Sequence, residues 1–381
     1  MISSIKISLF RGIRDCRIDD LKAINVFVGR NNHGKSSILE ALYLASGAFK
    51  FEDPWSIEQQ RGTPAHRTSD KISFLLNRRT QRRLTWGRDR ETLWHNYDRK
   101  DSIKIDIVRK GKKLRIRLAD WHMHPFLSTS TDQSLRDALN KDGYPVQSNN
   151  NNFCLIESSV IEPQRMFHYS IQTEKVLESQ MRLSEMSQFM QGMMFIDSSL
   201  IHNMETVEKI LWKPLLRKRQ DKLVVEVLRN GYESEVEDLT YIPYGERYQL
   251  AIKLPETTTR VDDLGDGARY SMIWIMVAAL AERTAILMEE PENHQHPSGL
   301  AKSLEMLLSI AKTNKTQLFI TTHSLEFIKL LEKIAEEMRI DVKTFFIERD
   351  ETGKIEPRVV TSKDSEYLAK MGLDMRFLDI L

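Results

Sequence analysis

Disulfide chemistry is nearly absent from this chain. Only two cysteines, Cys16 and Cys154, occur in 381 residues. Two cannot build a disulfide framework, and such usage fits a reducing compartment. An excess of one charge is also missing. Fifty-six Lys and Arg stand against 54 Asp and Glu, a net charge of +2. No global attraction to nucleic acid or to an acidic membrane follows from that balance. No run approaches the ~18 apolar residues of a transmembrane helix. The best, Met272 to Leu280, is short and leads into Ala281, Glu282 and Arg283. The first ten residues lack the charged-then-apolar layout of a secretory signal, so the expected location is cytoplasmic, away from membranes. No internal repeat and no sustained heptad occur, which excludes a solenoid and a long coiled coil. With 41% hydrophobic and 29% charged residues, neither global disorder nor a fibrous chain is expected. The length suits two or three domains, or one large domain with an insertion.

Several segments carry a clear period. Residues 2–10 alternate apolar and polar, as a half-buried strand does. Ile24 to Val28 is a short apolar run that ends at Gly29, and from Ser36 the positions Ile38, Leu39, Leu42 and Ala45 have helical spacing. Residues 103–108 and 114–118 alternate, with a hairpin turn predicted over 109–113. Residues 141–152 read as an exposed loop and residues 174–229 as mostly helical. Their methionines (Met181, Met186, Met190, Met193, Met194) read as gap fillers in a helical layer. The last third alternates: helix over 268–280, strand over 285–288, helix over 298–312 and strand over 317–320. That order predicts a parallel sheet with crossover helices.

The loop Gly29-Arg30-Asn31-Asn32-His33-Gly34-Lys35-Ser36 fits G-x-x-x-x-G-K-[ST] at every fixed position. Glycines let backbone N–H groups converge on phosphate oxygens, and the next helix aims its positive end at them. Lys35 can reach the β- and γ-phosphates, and the Ser36 hydroxyl can ligate Mg²⁺. Gly29, Asn31, Asn32, His33, Gly34, Lys35, Ser36 and Ser37 are thus candidate contacts for a nucleotide's phosphates. The apolar strand before the loop and the amphipathic helix after it are the context the motif requires.

Ala285 to Met288 is an apolar run that ends in Glu289-Glu290-Pro291. Ligands bind at the carboxyl ends of parallel strands, so both acids are expected near the phosphate loop. One can hold the Mg²⁺ shell, and the other can orient or deprotonate the attacking water. A second apolar run ends at Ile320 and is followed by Thr321-Thr322-His323. A histidine at such a strand end can bind a γ-phosphate and report its loss.

These pieces, in this order, resemble the ABC-type ATPase heads of the RecF, SMC and OLD (overcoming lysogenization defect) group, and especially the short AAA-type proteins with an OLD-like head. The opening Ile5 to Asp15 is similar to that group's strand and Asn-Phe-Arg-Gly start. Leu264-Gly265-Asp266-Gly267-Ala268-Arg269 stands at the signature, Glu289 to Pro297 resembles the Asp-Glu-x-Glu-Asn-x-x-His-Pro run, and Gln317 to Phe327 the switch segment. The resemblance is strong at both ends and loose over 50–250. It implies an α/β P-loop fold of ABC-head type: a mixed or parallel sheet with crossover helices, a β meander and a helical insertion. The implied divisions are an N-terminal lobe over 1–150, an insertion over 151–250 and a C-terminal lobe over 251–381. Lys35 and Ser36 would bind triphosphate and Mg²⁺, Glu289 would take the Walker B role, Glu290 the catalytic carboxylate role and His323 the switch role. Leu264, Gly265, Asp266 and Gly267 would contact the γ-phosphate on a second subunit, which implies a homodimer with two composite ATP sites. Arg11 would contact nucleotide.

The sequence departs from the group at three places. Glu289 stands where Asp is usual, Gly265 where many relatives have Ser, and Asp266 puts an acid near the expected γ-phosphate. Gln59, Gln60 and Gln164 compete for the Q-loop position. Only 58 residues follow His323, which leaves no room for the Toprim nuclease of OLD proteins. A nuclease or toxin effector is therefore expected in trans, with antiviral defence or DNA processing as the setting. The alternative is a slow ATPase that serves as a nucleotide-dependent scaffold. Basic runs at 78–88 and 212–219 could contact DNA phosphates or line a solvated face. His122 and His124 have no partner at useful metal-ligand spacing.

Overall fold

A computed structural model describes residues 1–47, 75, 78, 89–120, 154–158, 168–169, 185–361, 364, 367 and 370. The alternating start forms β1 (Ile2–Phe10), with Ile5 and Ile7 buried and Lys6 exposed. The chain reverses at Arg11-Gly12 into β2 (Ile13–Asp19). β4 (Ile103–Arg109) pairs with the other edge of β1 and turns through Lys110-Gly111, both at positive φ, into β5 (Lys112–Asp120). This is the expected hairpin. β6 (Cys154–Ser158) and β7 (His168–Tyr169) continue the meander, and β15 (Lys354–Ile355) lies parallel on β2. The resulting order is β15-β2-β1-β4-β5-β6-β7.

The second sheet is the one that carries the motifs. β8 (Met194–Ile196), β12 (Ala285–Glu289), β13 (Gln317–Thr321), β3 (Ile24–Val28) and β14 (Val342–Phe346) run parallel in that spatial order. β16 (Arg358–Val360) closes the β14 edge antiparallel. Every residue of β3 and of β13 is buried, because both faces of the sheet are covered. On one face α1 (Lys35–Ser46) lies between the two sheets: Phe27, Leu287 and Phe319 meet Ile38, Leu42, Ile5 and Ile7 there. The Phe27 ring centroid is 6.4 Å from that of Phe319 and 5.9 Å from that of Phe345. On the other face Val26, Val28, Ile286, Met288 and Ile320 join a helical layer. That layer holds α3 (Met204–Lys218), α4 (Asp221–Gly231), α5 (Asp266–Leu280), α6 (Pro297–Asn314) and α7 (Leu325–Glu337). Each fully buried large apolar side chain contributes about 1.5–3 kcal/mol.

The described part of 174–229 is mostly helical, as expected, with one interruption. After α2 (Glu185–Gln191) it contributes strand β8 and a 3₁₀ turn over Ser198–Asn203. Met194-Phe195-Ile196 is too short to show a period, and its parallel pairing with β12 decides its form. Met194 is therefore a strand residue, while Met186, Met190 and Met193 pack between the sheets. The structure also adds a sheet that sequence periodicity did not reveal: β9 (Asp238–Tyr244), β10 (Arg247–Lys253) and β11 (Thr258–Arg260) form a separate antiparallel sheet. Strand pairing crosses position 150, as β5 pairs with β6, and β10 spans position 250. Met181, the 141–152 loop, His122, His124, Gln59, Gln60, Gln164 and residues 79–88 lie outside the described residues.

Gln317 ties the two sheets together. Its amide donates to the carbonyls of Ile2 (2.9 Å) and Lys22 (2.8 Å), and its Oε1 accepts from Ile2 N–H at 2.7 Å. Gln317→Ala would leave buried backbone groups at the start of β1 unpaired, each costing about 1–3 kcal/mol. The expected outcome is a loss of about 2–4 kcal/mol in urea unfolding, with nucleotide affinity unchanged at temperatures where the variant is folded.

Candidate functional site

Parallel strands end together, so each motif that succeeds an apolar strand is delivered to one edge. In register, Thr321 of β13 faces Phe27 of β3 on one side and Glu289 of β12 on the other. Ile196 of β8 is level with Met288. The phosphate loop, Glu289-Glu290, Thr322-His323 and Asp197 thus emerge side by side at the carboxyl edge of the sheet.

The loop from Gly29 to Gly34 is shaped by two glycines with φ of 137° and 99° and by Asn32 at 64°. A Cβ on Gly29 would sit 2.3 Å from the Ile347 carbonyl oxygen, and one on Gly34 2.7 Å from Ile355 Cδ1. Only glycine suits both positions. α1 starts at Lys35 with no side-chain cap and no acid in its first turn, so its N–H groups and dipole are left to an incoming anion. The buried Lys35 ammonium donates to the Gly29 and Arg30 carbonyls at 2.9 and 2.8 Å. A cation is thereby stored inside the loop where phosphate oxygens would lie. His33 Nδ1 accepts from the Arg349 backbone N–H at 3.2 Å. Burial first, then the Arg349 charge, holds its pKa below the usual histidine value, which favours the neutral ring.

Across the edge, Glu290 has a φ of 44°, a conformation that costs a non-glycine residue about 1–3 kcal/mol. Its N–H donates to Thr321 O at 2.9 Å. The carboxylate lies 3.1 Å from His323 Nε2 and accepts from Asn293 Nδ2 at 3.0 Å. A carboxylate accepts, so His323 Nε2 is the donor of this contact. The His323 hydrogen bond, the Asn293 bond and the Lys35 charge outweigh burial and hold the Glu290 carboxyl below its ordinary value. Glu292 behaves oppositely. Burial pushes its carboxyl up, while it accepts from the Thr322 hydroxyl and, at 3.2 Å, from the His323 backbone N–H. Two neighbouring acids with opposed environments allow one ionised and one protonatable group at one site.

Glu289 opens a second, deeper cluster. The Arg78 guanidinium binds Glu289 and Glu40, and its Nε lies 3.1 Å from Asp197 Oδ2. It also stacks 4.4 Å from the Phe195 ring centroid. Arg11 Nε reaches the other oxygen of Glu40 at 2.5 Å, and Arg11 Nη2 donates to the Leu75 carbonyl at 2.6 Å. Arg11 is thus turned toward Glu40, and Arg78, the first residue of a run expected at a surface, is 2% exposed. Glu40 and Asp197 escaped detection in the sequence, and Glu292 and Asn293 were legible only as part of the acidic run, with no role of their own. The available signals were an acid set among the apolar positions Ile38, Leu39, Ala41 and Leu42 of α1, for Glu40, and an apolar triplet followed by an acid, for Asp197.

The signature-like residues pack on the acidic loop. Gly265 precedes α5, and Asp266 pairs with Arg269 and lies 3.5 Å from His294 Nδ1. Gln295 Nε2 donates to Gly267 O at 3.1 Å, and a Cβ on Gly267 would lie 2.8 Å from His294 O. Leu264 packs partly buried against the helical core. The other basic run, at 212–219, ends α3: Arg217 and Lys218 are exposed in its last turn, where they offset the helix dipole, and Trp212 and Leu215 are buried.

Ser36 and Glu289 offer hard oxygen donors of the kind Mg²⁺ takes, and the guanidinium on Glu289 shows that this carboxylate accepts a cation. A strand, phosphate loop and helix, faced by acids and a histidine on adjacent strand ends, define a P-loop nucleotide hydrolase. The AAA ATPase domain family matches residues 1–121 and 147–328, more than half of the chain, and the chain belongs to that family. It is an ATP hydrolase of that family. An "ATP/GTP phosphatase" of Helicobacter pylori is 23% identical over 96% of this chain and 97% of its own length. The DNA replication and repair protein RecF of Heliobacterium modesticaldum is 32% identical over 17% of this chain and 18% of its own. An SMC head domain from Thermotoga maritima superposes with a TM-score of 0.44 at 11% identity, over 94% of this chain and 99% of that one. Among the described residues, no helix is long and apolar enough to cross a membrane.

Gly34→Ala tests the loop. A Cβ at φ 99° strains the backbone by about 1–2 kcal/mol and crowds Ile355. Fluorescent ATP-analogue titration should show at least about a tenfold loss of affinity, with a melting temperature within a few degrees of wild type.

Proposed function

We propose that the chain binds and hydrolyses Mg-ATP at this edge, with each residue in a defined role. Gly29, Asn31, Asn32, His33, Gly34, Lys35, Ser36 and Ser37 cradle the triphosphate. Ser36 and Glu289 hold Mg²⁺, which supplies charge neutralisation at the β- and γ-phosphates. Glu290 accepts the proton of the attacking water or orients it, and His323 holds that carboxylate and senses the γ-phosphate. The observation that carries this reading is the 3.1 Å Glu290–His323 pair, within reach of the Lys35 charge at the ends of adjacent strands. His33 contributes its backbone N–H, since its ring is used by Arg349. Arg11 acts through Glu40 rather than on nucleotide.

Two chains sandwich ATP head to tail, with Leu264, Gly265, Asp266 and Gly267 of one facing the γ-phosphate of the other. The pairing of Asp266 with Arg269 supports this, because it offsets the acid's repulsion of phosphate. The dimer cycle gates an effector in trans, such as a nuclease, in defence or DNA processing, as in OLD-like systems; the name of the Helicobacter relative supports the hydrolytic part and that of RecF a DNA setting. A second reading, a slow ATPase serving as a nucleotide-dependent scaffold, draws support from the closure of Arg78 on Glu289.

Glu290→Gln should cut turnover at least about 100-fold while ATP affinity is kept, and should trap an ATP-dependent dimer visible by light scattering. Unchanged turnover would exclude Glu290 as the water-activating group. His323→Ala tests the pair separately. Because Glu290 titrates below its ordinary value, its carboxylate is present at all pH values above that point and is lost as pH falls through it. Removing the largest cause of that depression leaves burial to raise the pKa, so the acid limb of the kcat/KM profile should move to higher pH.

A further inference from the structure

Among the described residues, the deepest charged cluster has only one member, Glu289, with a part in hydrolysis as assigned above. Glu40 is fully buried, and the side chains of Arg78 and Asp197 are 2% and 6% exposed. Buried charges persist only when paired. Among the described residues, the carboxyl groups of Glu40, Asp197 and Glu289 meet the guanidinium groups of Arg11 and Arg78 there.

The three carboxylates are not held equally. Glu40 gives its second oxygen to Arg11 at 2.5 Å. Asp197 gives Oδ1 to Ser199, whose N–H donates at 3.0 Å. Both are fixed by partners other than Arg78. Glu289 stands at the end of β12, is the most exposed of the three at 21%, and faces the sheet edge beside the phosphate loop. If a cation arrives at that edge, Glu289 is the carboxylate that can change partners while Arg78 stays anchored on Glu40, Asp197 and the Phe195 ring.

We propose that Arg78 is a positioning residue that holds Glu289 in place of the metal, and that Mg²⁺ must take Glu289 from Arg78 when Mg-ATP loads. The proposal rests on the reading of Glu289 as a metal-shell carboxylate. Its physical basis is competition between two cations for one carboxylate. The guanidinium neutralises Glu289 in the nucleotide-free chain, which spares the cost of an unpaired partly buried charge, and each loading event must break that contact. The extra methylene of Glu289 relative to aspartate gives the carboxylate reach to serve both cations.

The test is a titration with Mn²⁺, followed as free Mn²⁺ by electron paramagnetic resonance, on the full chain saturated with a non-hydrolysable ATP analogue. Wild type, Arg78→Gln, Arg78→Lys and Glu289→Gln are compared. Removal of the competitor should tighten Mn²⁺ binding at least about tenfold in Arg78→Gln, the worth of one charge-assisted hydrogen bond. Arg78→Gln leaves three buried acids with less compensation and is expected to melt lower. Arg78→Lys keeps the charge without the planar fork, so it is the variant to use if the first does not fold, and it should tighten Mn²⁺ by a smaller factor. A purely structural Arg78 would lower stability and leave Mn²⁺ affinity unchanged or weaker in both variants, which overturns the proposal. Glu289→Gln should weaken Mn²⁺ binding in the analogue complex. If it does and the Arg78 variants do not tighten binding, the metal role of Glu289 stands and the competition fails. If Glu289→Gln binds Mn²⁺ as wild type does, the metal role fails and takes the competition with it.

Discussion

A carboxylate shut away from water organises this site. Glu40 lies on the helix that grows out of the phosphate loop, and that helix is enclosed between two sheets. An ionised acid in such a place costs several kcal/mol unless it is paired. Arg11 reaches it from the turn between β1 and β2, and Arg78 reaches it from a separate stretch of chain. Through Arg78 the same demand extends to Asp197 and Glu289, so the helix, the antiparallel sheet and two strand ends of the parallel sheet share one electrostatic knot. The positions of the phosphate loop and of Glu289 are coupled through it.

Around that knot the parallel sheet does the positioning. Five strands end at one edge, so the loops that leave neighbouring strands become neighbours themselves. The edge sorts its charges by environment. Lys35 is folded onto its own loop carbonyls, Glu290 is kept ionised by His323, and Glu292 is made harder to ionise by burial while it holds the backbone of His323. An ionised carboxylate, its histidine partner and a support for that histidine thus come from a stretch of four residues and the end of one adjacent strand.

At the signature-like turn the acid is held by its neighbours. Asp266 is engaged by Arg269 one helical turn on and by His294 of the acidic loop. Tyr232, Ser271, Ser303 and Gln295 form a polar network behind it: Tyr232 Oη is 2.5 Å from Ser271 Oγ, and Ser303 Oγ is 2.8 Å from Ser271 Oγ. This network links α4, α5 and α6 to the loop after Glu290. Buried networks of this kind hold a single arrangement when fully satisfied.

The sequence by itself determined the features that obey local rules. The phosphate loop was legible because two glycines, a lysine and a serine at fixed spacing have one common use, and the strands at 24–28, 285–289 and 317–321 because sheets covered on both faces demand continuous apolar runs. The parallel order of those strands, with Glu289, Glu290 and His323 at their carboxyl ends, came from the alternation of helix and strand. Only the tertiary structure decided the rest. Met194 to Ile196 is a strand because β12 is there to pair with it, and Asp197 joins the site for the same reason. Arg78 reads in the sequence as the start of a basic surface run, yet three carboxylates from distant positions bury it. Charge type is written locally, but burial and partner are set by which distant segments the fold brings within a few ångströms, and no periodicity in the chain encodes that.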